Sequence, residues 1–140
     1  MGVVKNIFIM YSFKMKRIFF VSIIMILFIA PANSTEWTAV SANHHAKFFV
    51  NEKSIKREGG YIYYWDMGNL LGPIGEGIVS ISSFNKVNCE NFLVKTLKTS
   101  FHKAPMANDN PEVLTATKPA WKQPPSGSAS AKIAKFVCDY

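Results

Sequence analysis

The chain has few of the residues on which catalysis and metal binding depend. Its 140 residues include two cysteines and three histidines, and its acidic residues form no paired cluster. The sequence contains no Gly-x-Ser-x-Gly nucleophile elbow and no C-x-x-C pair. The glycine-rich stretch 72–77 has the wrong spacing for a phosphate-binding loop, and it places a proline where an amide donor is needed. We therefore predict no catalytic residues, no metal site and no cofactor, and a protein that is not an enzyme.

The three histidines are His44, His45 and His102. In a strand, the side chains of His44 and His45 would point to opposite faces, so this pair would need ligands from elsewhere to hold a metal. A solvated loop pair is the simpler interpretation. A small secreted hydrolase is the weakest function that we consider, because the sequence shows no constellation of a nucleophile and a base.

A concentrated basic patch is also missing. Residues 35–140 carry 12 Lys or Arg and 9 Asp or Glu, which leaves a net charge of +3, and the lysines are scattered singly. Nucleic-acid binders normally concentrate their positive charge on one face, so we predict no nucleic-acid partner. The length allows a single domain, and it is too short for a dinucleotide fold together with a substrate domain.

The apolar run at residues 18–30 is short for a membrane span. It has 13 residues, whereas a spanning helix needs about 20. Lys14, Lys16 and Arg17 precede it and Ala30-Pro-Ala32 follows it, which is the layout of a secretory signal peptide. We predict a signal peptide over residues 1–32, with Met15 as a better start than Met1 and Ser34 as the second choice of cleavage position. A membrane anchor is the alternative.

The predicted mature product is a single exported domain over residues 33–140, with no membrane span after cleavage. Its location would be the periplasm, the outer-membrane surface or the medium. Cys89 and Cys138 both fall in this part of the chain. In an oxidising compartment an even pair usually forms a disulfide, and closing a loop of about 50 residues stabilises a fold by roughly 4 kcal/mol in the chain-entropy model. We predict a Cys89–Cys138 disulfide.

Short extended segments separated by turn residues dominate the mature chain. Tyr61–Trp65 is the clearest strand, and aromatic side chains on both of its faces predict a central strand that is covered on each side. The aromatic residues are more often core than ligand-binding in a small sheet. Further strands are predicted at 36–42, 47–50, 55–57, 78–84 and 113–117. Residues 90–102 fit a strand and a helical stripe about equally well, and their Thr and Phe content favours a strand. Turns or loops are predicted at 51–54, 58–60, 68–77, 85–88 and 103–111.

The C-terminal segment changes to a helical period. Ser126-Gly-Ser128 supplies candidate N-caps, and an apolar stripe follows at Ala129, Ile133, Phe136, Val137 and Tyr140. We expect this helix to pack on the sheet near Trp65 or its neighbours. The predicted fold class is α+β: a small antiparallel β-sheet with one C-terminal α-helix packed on it and one disulfide.

Several of these elements occur together in one order. They are an early Trp37, Phe49-Val-Asn51 followed by Ser54-Ile-Lys-Arg57 and Gly59, the aromatic strand ending in Tyr64-Trp65, Ser82 ahead of Cys89, Trp121, the Pro125-Ser-Gly-Ser128 turn and the terminal Phe136-Val-Cys138. In this order and spacing, the residues between Trp37 and Cys138 resemble the surface-adhesin protein E family of Gram-negative bacteria.

The resemblance implies a disulfide-bonded antiparallel sheet with a C-terminal helix, exported to the cell envelope, and a homodimer as a possible assembly. It also implies adhesion to host extracellular-matrix or serum proteins such as vitronectin or laminin. A fold does not carry its function with it, and no ligand-binding residue can be named from the motifs. The alternative function is a periplasmic accessory or structural protein of the cell envelope with no host ligand.

Overall fold

A computed structural model of the chain describes residues 36–140. The predicted signal peptide, its cleavage positions and the choice between Met1 and Met15 lie outside the described residues. Within them, the chain forms one antiparallel sheet of six strands, whose spatial order is the order of the sequence. The strands are β1 (Trp37–Ala42), β2 (Ala46–Glu58), β3 (Tyr61–Ile74), β4 (Ile78–Asn88), β5 (Leu93–His102) and β6 (Val113–Thr115).

Strand β2 passes straight through the segment that the sequence predicted to be a turn. The prediction of a turn at 51–54 is wrong, because the extra residues form a bulge between the pairs Asn51–Trp65 and Lys56–Tyr63. The Ser54 hydroxyl holds the bulge by donating to the Asn51 carbonyl at 2.6 Å and accepting from the Trp65 amide at 2.8 Å. A turn-forming serine therefore completes a strand here instead of ending it.

Strands β3 and β4 are longer than predicted. The predicted loop 68–77 is mostly strand, since β3 runs to Ile74 and only residues 75–77 turn, with Gly75 and Gly77 at positive φ. The predicted turn at 85–88 is also wrong, because β4 continues to Asn88. The hairpin at Gly59 and Gly60 is confirmed, with both residues at positive φ between β2 and β3.

Helix α1 (Ala129–Asp139) begins where the cap residues predicted. The Ser128 hydroxyl accepts a hydrogen bond from the Ala131 amide at 3.1 Å, which satisfies one of the free amides of the first turn. The buried residues of α1 are Ile133, Ala134 and Val137, whereas Tyr140 is 60% exposed and Phe136 is only partly buried. Tyr140 is therefore not part of the buried stripe.

The core lies between α1 and one face of the sheet, which we call the helix-covered face. It is built from Val50, Ile62, Tyr64, Val87, Val94 and the three buried helix residues. Because side chains alternate along β3, Ile62, Tyr64 and Asp66 belong to this face, while Tyr61, Tyr63 and Trp65 belong to the other face, which we call the open face. The helix therefore packs beside Tyr64, the neighbour of Trp65, as expected, while Trp65 itself lies on the open face.

The predicted Cys89–Cys138 disulfide is confirmed, with a Cα–Cα distance of 5.8 Å. It ties the last turn of α1 to the residue that follows β4. The predicted fold class is confirmed in each of its parts: an antiparallel sheet, one C-terminal helix packed on it and one disulfide.

Candidate functional site

The open face of the sheet carries a continuous cluster of aromatic and basic side chains. Strand β3 supplies Tyr61, Tyr63 and Trp65, and the neighbouring strands supply Phe84, Lys86 and Lys95. Trp121 reaches the same face from the segment before α1, which joins β5 through a bridge between Lys122 and Val94. These seven residues are all half-buried. We call them the aromatic–lysine face.

The rings of this face lie against one another along and across the strands. The Tyr61 and Trp121 rings stack with centroids 5.5 Å apart, and the Phe84 ring lies 5.2 Å from Trp65 and 6.1 Å from Tyr63. Such separations fall in the range in which aromatic pairs attract each other beyond simple burial. The rings therefore form a fixed apolar platform outside the core.

Two lysines are held on this platform by cation–π contacts. The Lys86 ammonium lies 3.9 Å from the Tyr61 ring centroid and 5.1 Å from that of Tyr63, and the Lys95 ammonium lies 4.5 Å from that of Trp121. These contacts restrain side chains that would otherwise be mobile while leaving their charge unneutralised. The face thus presents positive charge in a defined position.

The aromatic part of this composition is the one that protein–protein interfaces favour. Tyr and Trp dominate binding energy at interfaces because they bury a large area with few rotatable bonds. Lys residues fixed on aromatic rings lose less conformational freedom on binding than free surface lysines do. The arrangement is suited to holding a partner surface that carries acidic residues around an apolar centre.

A loop covers the other end of the open face. The short 3-10 helix Pro105–Ala107 packs on β3 and β4, where the Met106 amide donates to Asn69 and the Ala107 amide donates to the Ser80 hydroxyl, at 2.8 and 3.0 Å. The fully buried Met67 lies at this end of β3. The aromatic–lysine face is therefore the uncovered part of a face that is elsewhere protected.

Beneath this loop the structure brings together a serine, a histidine and an aspartate. The Ser82 hydroxyl lies 2.8 Å from Nε2 of His102, and Nδ1 of His102 donates to Asp109 Oδ1 at 2.5 Å. The connectivity is that of a serine-hydrolase triad, and no motif in the sequence predicted it. It arises because β4 and β5 pair so that Ser82 and His102 lie diagonally on the same face.

The surroundings of this triad are those of a structural link. Ser82 is 5% exposed and His102 is 4% exposed, so both side chains are almost fully shielded from solvent. The other oxygen of Asp109 accepts from the amides of Lys103 and Ala104, so the carboxylate fixes the start of the loop. The hydrogen bond from His102 and those from the two amides hold the pKa of Asp109 below its usual range.

The other two histidines form no ligand cluster. The His44 and His45 rings lie 3.8 Å apart in the exposed connection between β1 and β2, where the Asn43 side chain accepts from the amides of His45 and Ala46. Between residues 36 and 140, no group of three or more His, Cys, Asp or Glu is arranged to hold a metal. No helix in this same range has the length and apolar character to cross a bilayer.

Sequence reasoning singled out the aromatic residues of this face but predicted that they belong to the core. The aromatic residues of the sheet were expected to be core, and this holds for Tyr64 but not for Tyr61, Tyr63 and Trp65. The strict alternation of β3 was the available signal, because a single helix covers only one face of a sheet. The disulfide cysteines are the only predicted site residues that the described part of the chain brings together.

Comparison with known proteins defines the class. A model of the surface-adhesin protein E family matches residues 37–139, which is nearly the whole of the described chain. The chain therefore belongs to the surface-adhesin protein E family. No curated protein matches the chain.

Solved structures of protein E from Haemophilus influenzae have the same fold. One, crystal form II, shares 14% sequence identity with a TM-score of 0.59, and the alignment covers 79% of this chain and 94% of that one. Another, from a non-typeable strain, shares 15% identity with a TM-score of 0.57 and covers 79% and 82% of the two chains. At these identities the similarity establishes the fold alone.

Proposed function

We propose that the protein is an exported, non-catalytic surface adhesin that binds host extracellular-matrix or serum proteins through its aromatic–lysine face. Membership of the surface-adhesin protein E family supports the class of function. The observation that carries the binding site is the half-buried platform of Tyr61, Tyr63, Trp65, Phe84 and Trp121, with Lys86 held on it. No other arrangement of side chains described above combines aromatic area with fixed charge.

Binding to immobilised vitronectin and laminin tests this proposal. Tyr63→Ala and Lys86→Gln should each weaken binding, by roughly tenfold or more for the tyrosine, because buried tyrosines dominate interface energies. The matched controls are Tyr140→Ala and Lys132→Gln, which make the same changes at exposed positions directly after α1 and on it. Equal loss in the variants and controls, or binding that survives both face variants, would contradict the site, provided that all four proteins keep the wild-type melting temperature.

Surface exposure separates the adhesin from the periplasmic alternative. Antibody labelling or protease shaving of intact cells should reach an adhesin and should miss an accessory protein of the periplasm. N-terminal sequencing of the exported protein should give a start at residue 33 or 35, as the signal-peptide prediction requires. Recovery of a chain that retains residues 15–30 would mean a membrane anchor instead.

The non-catalytic part of the proposal is tested at Ser82. A fluorophosphonate probe that labels activated serines should leave the native protein unmodified, because Ser82 and His102 are buried beneath the loop. Labelling that disappears in Ser82→Ala would establish a working nucleophile and overturn this part. The homodimer implied by the family resemblance stays a prediction, and sedimentation equilibrium of the mature chain would test it.

A further inference from the structure

A cavity of about 340 Å³ lies between α1 and the helix-covered face of the sheet, on the opposite side from the aromatic–lysine face. Its walls are mainly apolar and include Phe48, Leu70, Ile81 and Ile133. The Asp66 carboxylate and the Ser130 side chain also line it. Pockets that bind small ligands have this character, with apolar walls and a few polar groups that fix orientation.

Asp66 is the group in this cavity that lacks a charge partner. One of its oxygens accepts a hydrogen bond from Asn85 Nδ2 at 3.0 Å. No lysine or arginine lines the cavity, and Asp66 takes part in none of the ion pairs found within residues 36–140. Burial raises the pKa of Asp66 to about 7. A carboxylate in an apolar site is costly unless a cation compensates it.

We propose that this cavity binds an ammonium group carried on a short aliphatic chain, with Asp66 as the counter-ion and the apolar walls around the methylenes. The carboxylate would repel an anion, and a neutral alkyl chain would leave it uncompensated. A cavity of about 340 Å³ has room for an ammonium group on a chain of four or five carbons. The site lies on the opposite face from the aromatic–lysine face, so it stands or falls independently of the proposed adhesin function.

The ammonium group has two possible sources with the same chemistry: a free alkylamine or the lysine side chain of a partner protein. Three probes of equal length separate charge from apolar contact: n-pentylammonium, n-pentanol and pentanoate. A fourth probe, lysine with both its α-amine and its carboxyl blocked as amides, represents a protein side chain. Titration of each into the isotopically labelled protein, followed by NMR, should shift the amides of Ser130 and Ile133 with the ammonium compounds only.

Two variants test the roles of the Asp66 charge and of the cavity space in ammonium binding. Asp66→Asn keeps an acceptor for Asn85 but removes the charge, and it should weaken n-pentylammonium binding roughly tenfold or more. Gly68→Ala adds a methyl group that would lie 3.3 Å from the Phe48 ring, so it should narrow the cavity and weaken binding without altering Asp66. The control Asp139→Asn removes an exposed carboxylate of α1 and should leave binding unchanged.

Binding should also change the titration of Asp66. The other titratable groups near it are His45, which lines the cavity, and Tyr64, whose pKa burial and the Asp66 charge both raise. Strand β4 and helix α1 present only uncharged side chains to the cavity, namely Ile81, Ser83, Ser130 and Ile133. The ammonium compound should therefore lower the pH at which the ¹³C carboxyl signal of Asp66 titrates, whereas n-pentanol should not.

The results separate the sources as well as the proposal itself. Binding of blocked lysine as tightly as n-pentylammonium would show that a lysine side chain of a partner protein fits the site, and binding of the free amine alone would restrict the ligand to small amines. Either result supports the ammonium site. Equal binding of n-pentanol and n-pentylammonium would overturn it. So would the absence of any shift at millimolar concentration, or undiminished binding in folded Asp66→Asn.

Discussion

Asn85 links three strands of the helix-covered face through its side-chain amide. Its Nδ2 donates to Asp66 on β3, and its Oδ1 accepts from the Thr96 hydroxyl on β5 at 2.7 Å. Asn85 is 3% exposed, so loss of Thr96 would leave its buried Oδ1 unsatisfied, whereas Nδ2 also donates to the Ser83 carbonyl at 3.3 Å. Asp66 therefore contributes to the links between strands as well as to the cavity.

The stability of the protein should depend on pH through Asp66. In the unfolded chain this carboxyl ionises near pH 4, whereas in the folded chain it stays protonated up to about pH 7. Between these values the folded state binds more protons, so the free energy of unfolding should fall as the pH rises from 4 to 7. Denaturant unfolding at pH 5 and pH 8 measures the change.

Asp66→Asn is the control for this pH dependence, because an amide does not titrate. The variant should lack the part of the decrease that Asp66 causes, which is a few kcal/mol at most. Other groups, including Asp109 at lower pH, titrate in both proteins and cancel in the difference. An identical pH profile in the two proteins would show that the Asp66 carboxyl has an ordinary pKa.

Sequence reasoning at the residue scale found the cysteines and missed the two polar clusters. The Cys89–Cys138 pair could be predicted because an exported chain with only two cysteines leaves one pairing. The Ser82–His102–Asp109 link could not, because it depends on the register of β4 against β5 and on a loop that carries no motif. Asp66 lies one residue beyond the strand predicted at Tyr61–Trp65, so the sequence did not place it on a strand face.

The helix α1 is held by side chains on one side and by a covalent bond at its end. Ile133 is 3% exposed and belongs to the core, Phe136 is partly buried at its edge, and Lys132 is exposed. Ile133→Asp should cost several kcal/mol of stability, because it buries a charge without a partner. Phe136→Asp should cost less, and Lys132→Asp less than about 0.5 kcal/mol.

Thermal unfolding of the three variants measures this order of stability losses. The apolar stripe predicted from the sequence contains both Ile133 and Phe136 and so does not distinguish them. The structure separates them, because the stripe is wider than the contact area that the sheet offers. A loss at Phe136→Asp as large as that at Ile133→Asp would mean that α1 is rotated toward Phe136.

The Cys89–Cys138 disulfide also holds α1 in place, at the C-terminal end of the helix. Cys89→Ser and Cys138→Ser should lower stability by similar amounts, about 4 kcal/mol in the chain-entropy model, because each breaks the same bond. The double variant should be no worse than either single one. Denaturant midpoints provide the measurement, and clearly additive losses, or free thiols in the oxidised protein, would argue against the bond.

The positions of the strands were easier to predict from the sequence than their lengths. All six strands were predicted near their observed places, but β2, β3 and β4 run on through segments that contain serine, glycine or asparagine. Those residues signal turns in an isolated sequence, and in this sheet they form bulges, as the register shifts at Asn51–Lys56 and Asn69–Ile74 indicate. Pairing with a long neighbouring strand outweighs the local preference.

At the scale of the whole molecule, the two faces of the sheet have different roles. The helix-covered face contains the core and the Asp66 cavity, and the open face carries the 103–111 loop and the aromatic–lysine face. One helix of 11 residues cannot cover both sides of a six-stranded sheet. The fold thus leaves part of the open face uncovered. The concentration of aromatic residues on that part is what indicates a binding partner.

Hydroxyl-radical footprinting of the protein bound to vitronectin or laminin tests that claim most directly, because it reads out the contacted residues without any substitution. We predict that binding protects Tyr61, Tyr63, Trp65 and Trp121 from oxidation. The exposed Leu71 and Tyr140, on the β3–β4 hairpin and at the end of α1, should be oxidised as in the free protein. Protection of Leu71 or Tyr140 with no protection of the aromatic–lysine face would contradict the account.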